Sequence, residues 1–235
     1  MAYLRYYSEQ LSEHLFVVGQ DPPLGKAPSV DCHVYLIVGP SSVLAVDAGS
    51  GKSWPFVRAT AERYGFAEKP ISHVLVTHGH ADHAGGLTQF ENQGALTTCS
   101  AYAAEHLDSP EDADVIFDAD GSLSLGEFRP VAVLTPGHTP GSASYRVVVD
   151  GRLCLFTGDL VQIDGGLAWC GDQGFSREEV LQSLRKLAGM PAPDILLAGH
   201  GYVVGGMQLM EKGIAYGEGG KWAVWTWTEG RPKMP

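Results

Sequence analysis

The run Thr77-His78-Gly79-His80-Ala81-Asp82-His83 constrains this chain more than any other feature, because it places three imidazoles and a carboxylate within six residues. It follows the apolar stretch 71–76 and precedes Ala84-Gly85-Gly86. The β-branched run around Val74 and Val76 predicts a strand, and Gly79 lets the backbone turn sharply, so His78 and His80 can converge on one point. Asp82 and His83 fall where residues 81–89 read as the first turns of a helix, which aims them at a second point nearby. A lone histidine at a strand end is usually a hydrogen-bonded structural residue. Four costly polar groups at the end of a buried strand need partners, and a metal supplies them. Imidazole nitrogen with carboxylate oxygen suits zinc, and also iron or manganese, better than calcium or a thiolate-seeking metal.

Further polar residues recur at strand ends. Strands are predicted over 15–18, 34–38, 43–46, 95–98, 122–128, 131–134, 144–149, 153–156 and 194–198. Asp47 follows the third of these, either as a turn or capping residue or as a carboxylate that holds metal-binding histidines. His138, in Thr135-Pro136-Gly137-His138, and Asp159, in Phe156-Thr157-Gly158-Asp159, each follow an apolar run beside glycine, and the last strand ends in Gly199-His200-Gly201. Helices are predicted over 54–64, 101–107, 176–187 and 207–215, the third opened by a capping box of Ser176 with Glu179. Asp150-Gly151 marks a hairpin. Residues 19–30, rich in proline, read as a loop that could form a flap, residues 109–120 as an acidic, turn-rich connection, and the tail carries Trp222, Trp225 and Trp227. The strands fall into two groups, 15–98 and 122–198, which predicts two sheets packed face to face with helices outside and the chemistry on one edge.

Length and charge narrow the classes. A chain of 235 residues with 44% apolar content buries a substantial core, and a single domain over 1–235 is expected. No apolar run is long enough to span a bilayer, and the first residues do not resemble a signal peptide. Cys32, Cys99, Cys154 and Cys170 are scattered, which indicates neither a disulfide framework nor a zinc knuckle, and a cytoplasmic location is the default. The formal charge of −11 argues against a nucleic-acid surface. The expected partners are a small-molecule substrate and, at most, a second copy of the chain; neither nucleic acid nor membrane is expected.

The ordered set His78-x-His80-x-Asp82-His83, His138, Asp159, His200 resembles the metallo-β-lactamase fold superfamily over nearly the whole chain. The resemblance implies an α/β fold of αββα type, two mixed sheets packed face to face with helices on the outer faces. It implies that His78, His80 and His138 hold one metal and Asp82, His83 and His200 a second, with Asp159 between them and Asp47 behind the ligands. Two divalent ions, zinc first and iron or manganese as alternatives, are then the expected cofactors. Zinc β-lactamases of this superfamily usually carry cysteine or serine where Asp159 stands, so the chain is more similar to the hydroxyacylglutathione hydrolase (glyoxalase II) branch. It departs from that branch after His200, where only about one helix and the tryptophan-rich tail remain. Lactonases of the fold carry a tyrosine at the position of Gln162.

The implied activity is hydrolysis of a small ester, thioester or lactone by a metal-bridging hydroxide, with Asp82 or Asp159 moving the proton. The alternatives are an iron-dependent persulfide dioxygenase, which would leave Asp82 and His200 without a ligand role, and a β-lactamase-like amide hydrolase. Gln162, Trp169, Cys170 and Phe175 are candidate pocket residues, each of which could equally be core or surface.

Overall fold

The computed structural model describes residues 6–20, 31–107, 113–162, 167, 174–204, 206–220, 226–228 and 231–233. Most of the expected flap, residues 21–30, lies outside them, as do Trp169, Cys170, Trp222, Trp225 and the side chain of Trp227.

Seven strands form the first sheet in chain order: β1 (Tyr6–Ser12), β2 (Leu15–Gln20), β3 (Val34–Val38), β4 (Val43–Val46), β5 (Ile71–Leu75), β6 (Leu96–Ser100) and β7 (Ala113–Phe117). Neighbours from β1 to β4 are antiparallel, and from β4 to β7 parallel. The second sheet contains β8 (Gly121–Ser122), β9 (Val131–Leu134), β10 (Ala143–Val149), β11 (Arg152–Gly158), β12 (Ile195–Ala198) and β13 (Gly201–Val204). It is antiparallel except for the β11–β12 pair. A short hairpin of β14 (Thr226–Thr228) and β15 (Arg231–Lys233) follows.

Three hydrophobic layers account for the stacking. Strand side chains alternate between faces, so in β3 Tyr35 and Ile37 point one way and Val34, Leu36 and Val38 the other. Tyr35 and Ile37 join Leu75, Tyr145, Phe156 and Leu197 in the core between the sheets. Val34 and Leu36 pack beneath the helices α1 (Trp54–Arg63), α2 (Ala81–Ala84), α3 (Leu87–Glu91) and α4 (Ala101–Ala104), through Val57, Leu87, Phe90 and Ala103. On the far side, α5 (Arg177–Ala188) and α6 (Met207–Glu218) press Leu184, Leu187 and Met210 onto Val133, Leu155 and Leu196. This is the expected sandwich, with a dry apolar layer on both faces of each sheet. No helix among the described residues is long and apolar enough to cross a membrane.

Several local expectations need correction. The single helix over 81–89 is two short ones, α2 and α3, broken where Gly86 donates its N–H to Gly49 O at 2.8 Å. The acidic connection over 109–120 contains β7, where Ala113, Val115 and Phe117 turn inward between exposed Asp114 and Ile116. The strand expected over 122–128 is only the end of β8, followed by a tight turn at Gly126 that pairs Leu125 with Phe128. β1 and β13 have no counterpart in the sequence reading. The Ser176 cap is present: its hydroxyl accepts the Glu179 N–H at 3.2 Å.

Candidate metal centre

Most candidate ligands lie just past the carboxyl end of a strand, while Asp82 and His83 lie in α2. Asp47 follows β4, His78 and His80 follow β5, His138 follows β9, Asp159 follows β11 and His200 follows β12. β4 and β5 run parallel, as do β11 and β12, and β9 runs with them because both β9 and β11 oppose β10. Backbone bonds stitch the two edges together: Ala143 N–H to Thr77 O at 2.8 Å, and His33 N–H to Gly199 O at 2.7 Å. All these strand ends therefore open on one pocket.

Inside it, Nδ1 of His80 lies 3.0 Å from His78 Nε2 and 3.1 Å from His138 Nε2. A second group forms around His200, whose Nε2 is 3.3 Å from Asp82 Oδ2 and 3.5 Å from Asp159 Oδ2. Asp159 faces both groups, with Oδ2 3.8 Å from His138 Nε2 and Oδ1 3.4 Å from His83 Nε2. The seven side chains named from the sequence thus come together, although His78 and His200 are far apart along the chain.

The donor set fits divalent cations on grounds of its own. His83 Nε2 and Asp159 Oδ1 are buried, face each other, and make no hydrogen bond among the described residues. Buried polar atoms of this kind call for a partner, and a cation would satisfy both. Ligand atoms of His78, His80 and His138 lie within 4.8 Å of one another, as do those of Asp82, His83 and His200. That is a spacing a first-row ion holding nitrogen at about 2.1 Å can span.

Charge in the pocket points the same way. Burial, then the neighbouring His83 and His138, hold His78 well below the usual histidine range, so its ring is neutral. Burial alone would raise Asp159, but His200 and His83 pull it well below the usual carboxylate range. Burial would likewise lower His200, yet Asp159 and Asp82 hold it up at about 9. His83 is raised against its burial by Cys32, Asp47 and Asp159. Ionised carboxylates enclosed in this way draw positive charge to themselves, whether as protons or as a bound cation.

Other residues set the orientation of these groups. Asp47, at φ 58°, accepts from Thr77 N at 2.8 Å through Oδ1, and from Thr77 Oγ1 at 2.9 Å and His83 Nδ1 at 2.8 Å through Oδ2. It is the buried carboxylate behind the histidines, and also the turn residue after β4. Gly199 lies so close to the pocket that any Cβ there would collide with Asp159 Oδ1 and the His83 ring. The sequence reading missed Tyr35, whose hydroxyl reaches Ala198 O at 2.7 Å and Gly201 O at 2.8 Å across the His200 turn. It also missed Cys32, buried beside Asp47 and His83, whose thiol burial pushes up to about 12 against the pull of His83. Tyr35 looks like any apolar strand position, and a single cysteine carries no spacing signal. Of the proposed pocket residues, Gln162 is half-buried three residues past Asp159, and Phe175 packs against the α5–α6 core.

A family profile described as the Metallo-beta-lactamase superfamily matches residues 28–200. The chain belongs to the metallo-β-lactamase superfamily. Within that superfamily it is 31% identical over 170 residues to a hydroxyacylglutathione hydrolase of Cereibacter sphaeroides, covering 68% of this chain and 61% of that one. It is 32% identical over 196 residues to the atrochrysone carboxyl ACP thioesterase of Aspergillus fumigatus, covering 82% of this chain and 57% of that one. Among solved structures, a metallo-β-lactamase from Pontibacter korlensis superposes with a TM-score of 0.73 at 16% identity, over 91% of this chain and 99% of that one. That last likeness concerns the fold.

Proposed function

We propose that the protein, a metallo-hydrolase of the metallo-β-lactamase superfamily, uses two divalent cations, zinc first, to cleave a small ester, thioester or lactone. The observation that carries this reading is Asp159, which faces His138 on one side and His83 and His200 on the other. His78, His80 and His138 would hold one ion, Asp82, His83 and His200 the other, and Asp159 would serve both. When bound, such ions supply a nucleophilic hydroxide near neutral pH and Lewis-acid stabilisation of a carbonyl oxygen.

The chain's own residues do the rest. His78 offers a neutral ring nitrogen, and Asp47 keeps His83 Nε2 turned into the pocket. Asp82, with 32% of its side chain exposed against 11% for Asp159, is the carboxylate better placed to pass a proton to a leaving group. A covalent thiol mechanism gets no support among the described residues. Burial pushes the Cys32 and Cys99 thiols up to about 12 and that of Cys154 up to about 11, so all three stay protonated.

The two sequence relatives, one a hydroxyacylglutathione hydrolase and one an ACP thioesterase, favour a thioester first. The 3.3 Å approach of Asp82 to His200 favours a two-ion hydrolase over a mononuclear iron dioxygenase, which would leave both outside its ligand set. The test is a panel of simple esters, thioesters and lactones on zinc-reconstituted protein. Turnover of at least one class, lost in Asp159→Ala and in His138→Ala, supports the reading. A folded, metal-loaded protein inert to all three classes would sink it.

A further inference from the structure

A cleft of about 350 Å³ opens directly beside His80, walled by Tyr102, His106, Thr139 and Pro140. Tyr102 and His106 stack with ring centroids 4.1 Å apart and planes 13° from parallel, and 41% of Tyr102 is exposed. The pair is fixed to both loops that carry the first group of histidines. Gly79, between His78 and His80, lies so near the His106 backbone that a Cβ would come within 3.0 Å of His106 O. On the other side, Ser100 Oγ caps α4 and donates to Gly141 O at 2.6 Å, three residues past His138. The rings are therefore tied to the loops that carry His80 and His138.

The chemistry of the cleft is selective. No Lys, Arg, Asp or Glu lines it among the described residues, so none of these side chains favours a charged group there. Nδ1 of His106 donates to Tyr102 O at 2.8 Å, which fixes the ring against its own segment and directs Nε2 away from that bond. An apolar cavity of about 150 Å³ is enough to hold benzene, so the space admits a ring with room to spare.

Building on the hydrolase reading above, we infer that this cleft is the substrate's side-group subsite. It takes a flat, uncharged, ring-bearing group against the Tyr102–His106 pair. The preferred substrates are then esters or thioesters with an aromatic or similarly planar acyl or leaving group, rather than ones with charged flanks.

The test reads binding rather than turnover. The full chain is loaded with cobalt, and affinities are measured from the thiolate-to-cobalt absorption band for propanethiol, phenylmethanethiol and the 4-carboxylate analogue of phenylmethanethiol. A stacking contact predicts that phenylmethanethiol binds about three- to tenfold more tightly than propanethiol, and that the added carboxylate removes the advantage. Tyr102→Phe should keep the preference. Tyr102→Ala and Tyr102→Leu should lose it, both thiols still giving the thiolate band. Equal affinity for the two neutral thiols in the unsubstituted protein, or a preference that survives in both Tyr102→Ala and Tyr102→Leu, overturns the subsite and leaves the hydrolase reading standing. No thiolate band with any of the three thiols overturns the metal centre, and the subsite with it.

Discussion

Asp47 accepts the Nδ1 hydrogen of His83 at 2.8 Å, and that single bond decides which nitrogen His83 turns toward Asp159. With the hydrogen held on Nδ1, Nε2 is the nitrogen that would give its lone pair to a bound ion in place of its proton. Asp47→Asn keeps the size of the side chain and tolerates the positive φ, but its amide nitrogen can face His83 Nδ1. That favours the tautomer with hydrogen on Nε2, which cannot act as a ligand. Metal affinity should fall about 10- to 100-fold with unchanged far-UV circular dichroism, as measured by chelator competition. Unchanged affinity would show that the bond has no part in presenting His83.

Tyr35 reaches the far side of the same pocket. Its hydroxyl bridges Ala198 O and Gly201 O, while its ring packs on Phe156 with centroids 5.4 Å apart. Tyr35→Phe keeps the ring and removes the one hydroxyl hydrogen that the two carbonyls share. Stability in urea should drop by about 1–3 kcal/mol. Because the turn carries His200, a metal titration should show weaker binding at the group of Asp82, His83 and His200, with binding at His78, His80 and His138 unaffected. A uniform loss at both positions would mean that the brace acts on the whole fold.

Asp150 and His14 offer a test remote from the pocket. Asp150, at φ 52° in the β10–β11 turn, accepts the His14 N–H at 2.9 Å and His14 Nδ1 at 2.6 Å. Burial alone would raise its carboxyl, but hydrogen bonds from Ser12 and His14 hold it below the ordinary value of 3.8. A depressed folded-state pKa stabilises above the unfolded value, and the contribution disappears as pH falls through the folded one. Asp150→Asn should therefore cost about 1 kcal/mol near pH 7, measured by urea unfolding, and the gap should close below the carboxylate range. A gap that stays constant down to pH 2 would contradict the assignment.

The candidate ligands stand out in the sequence because it concentrates them. Three histidines and an aspartate in six residues have no structural excuse, and His138, Asp159 and His200 each sit beside glycine at the end of an apolar run. The central strands were legible for a related reason, since runs such as 34–38 are buried on both faces and carry no charged residue. Edge strands were not. β1 is mostly polar and half-buried, and β7 hides a period-two pattern among acidic residues. Tyr35 was invisible because its role depends on Ala198 and Gly201, more than 160 positions away. Contacts that bind one sheet to the other leave no local trace.

Seven side chains on one rim of the sandwich are proposed to hold a pair of divalent cations, and elemental analysis of protein purified without added metal or chelator counts them. Two divalent ions per folded chain are expected, falling to one or fewer in Asp159→Ala. One ion or none on the folded, unsubstituted chain, unchanged after incubation with excess zinc and desalting, would contradict that proposal.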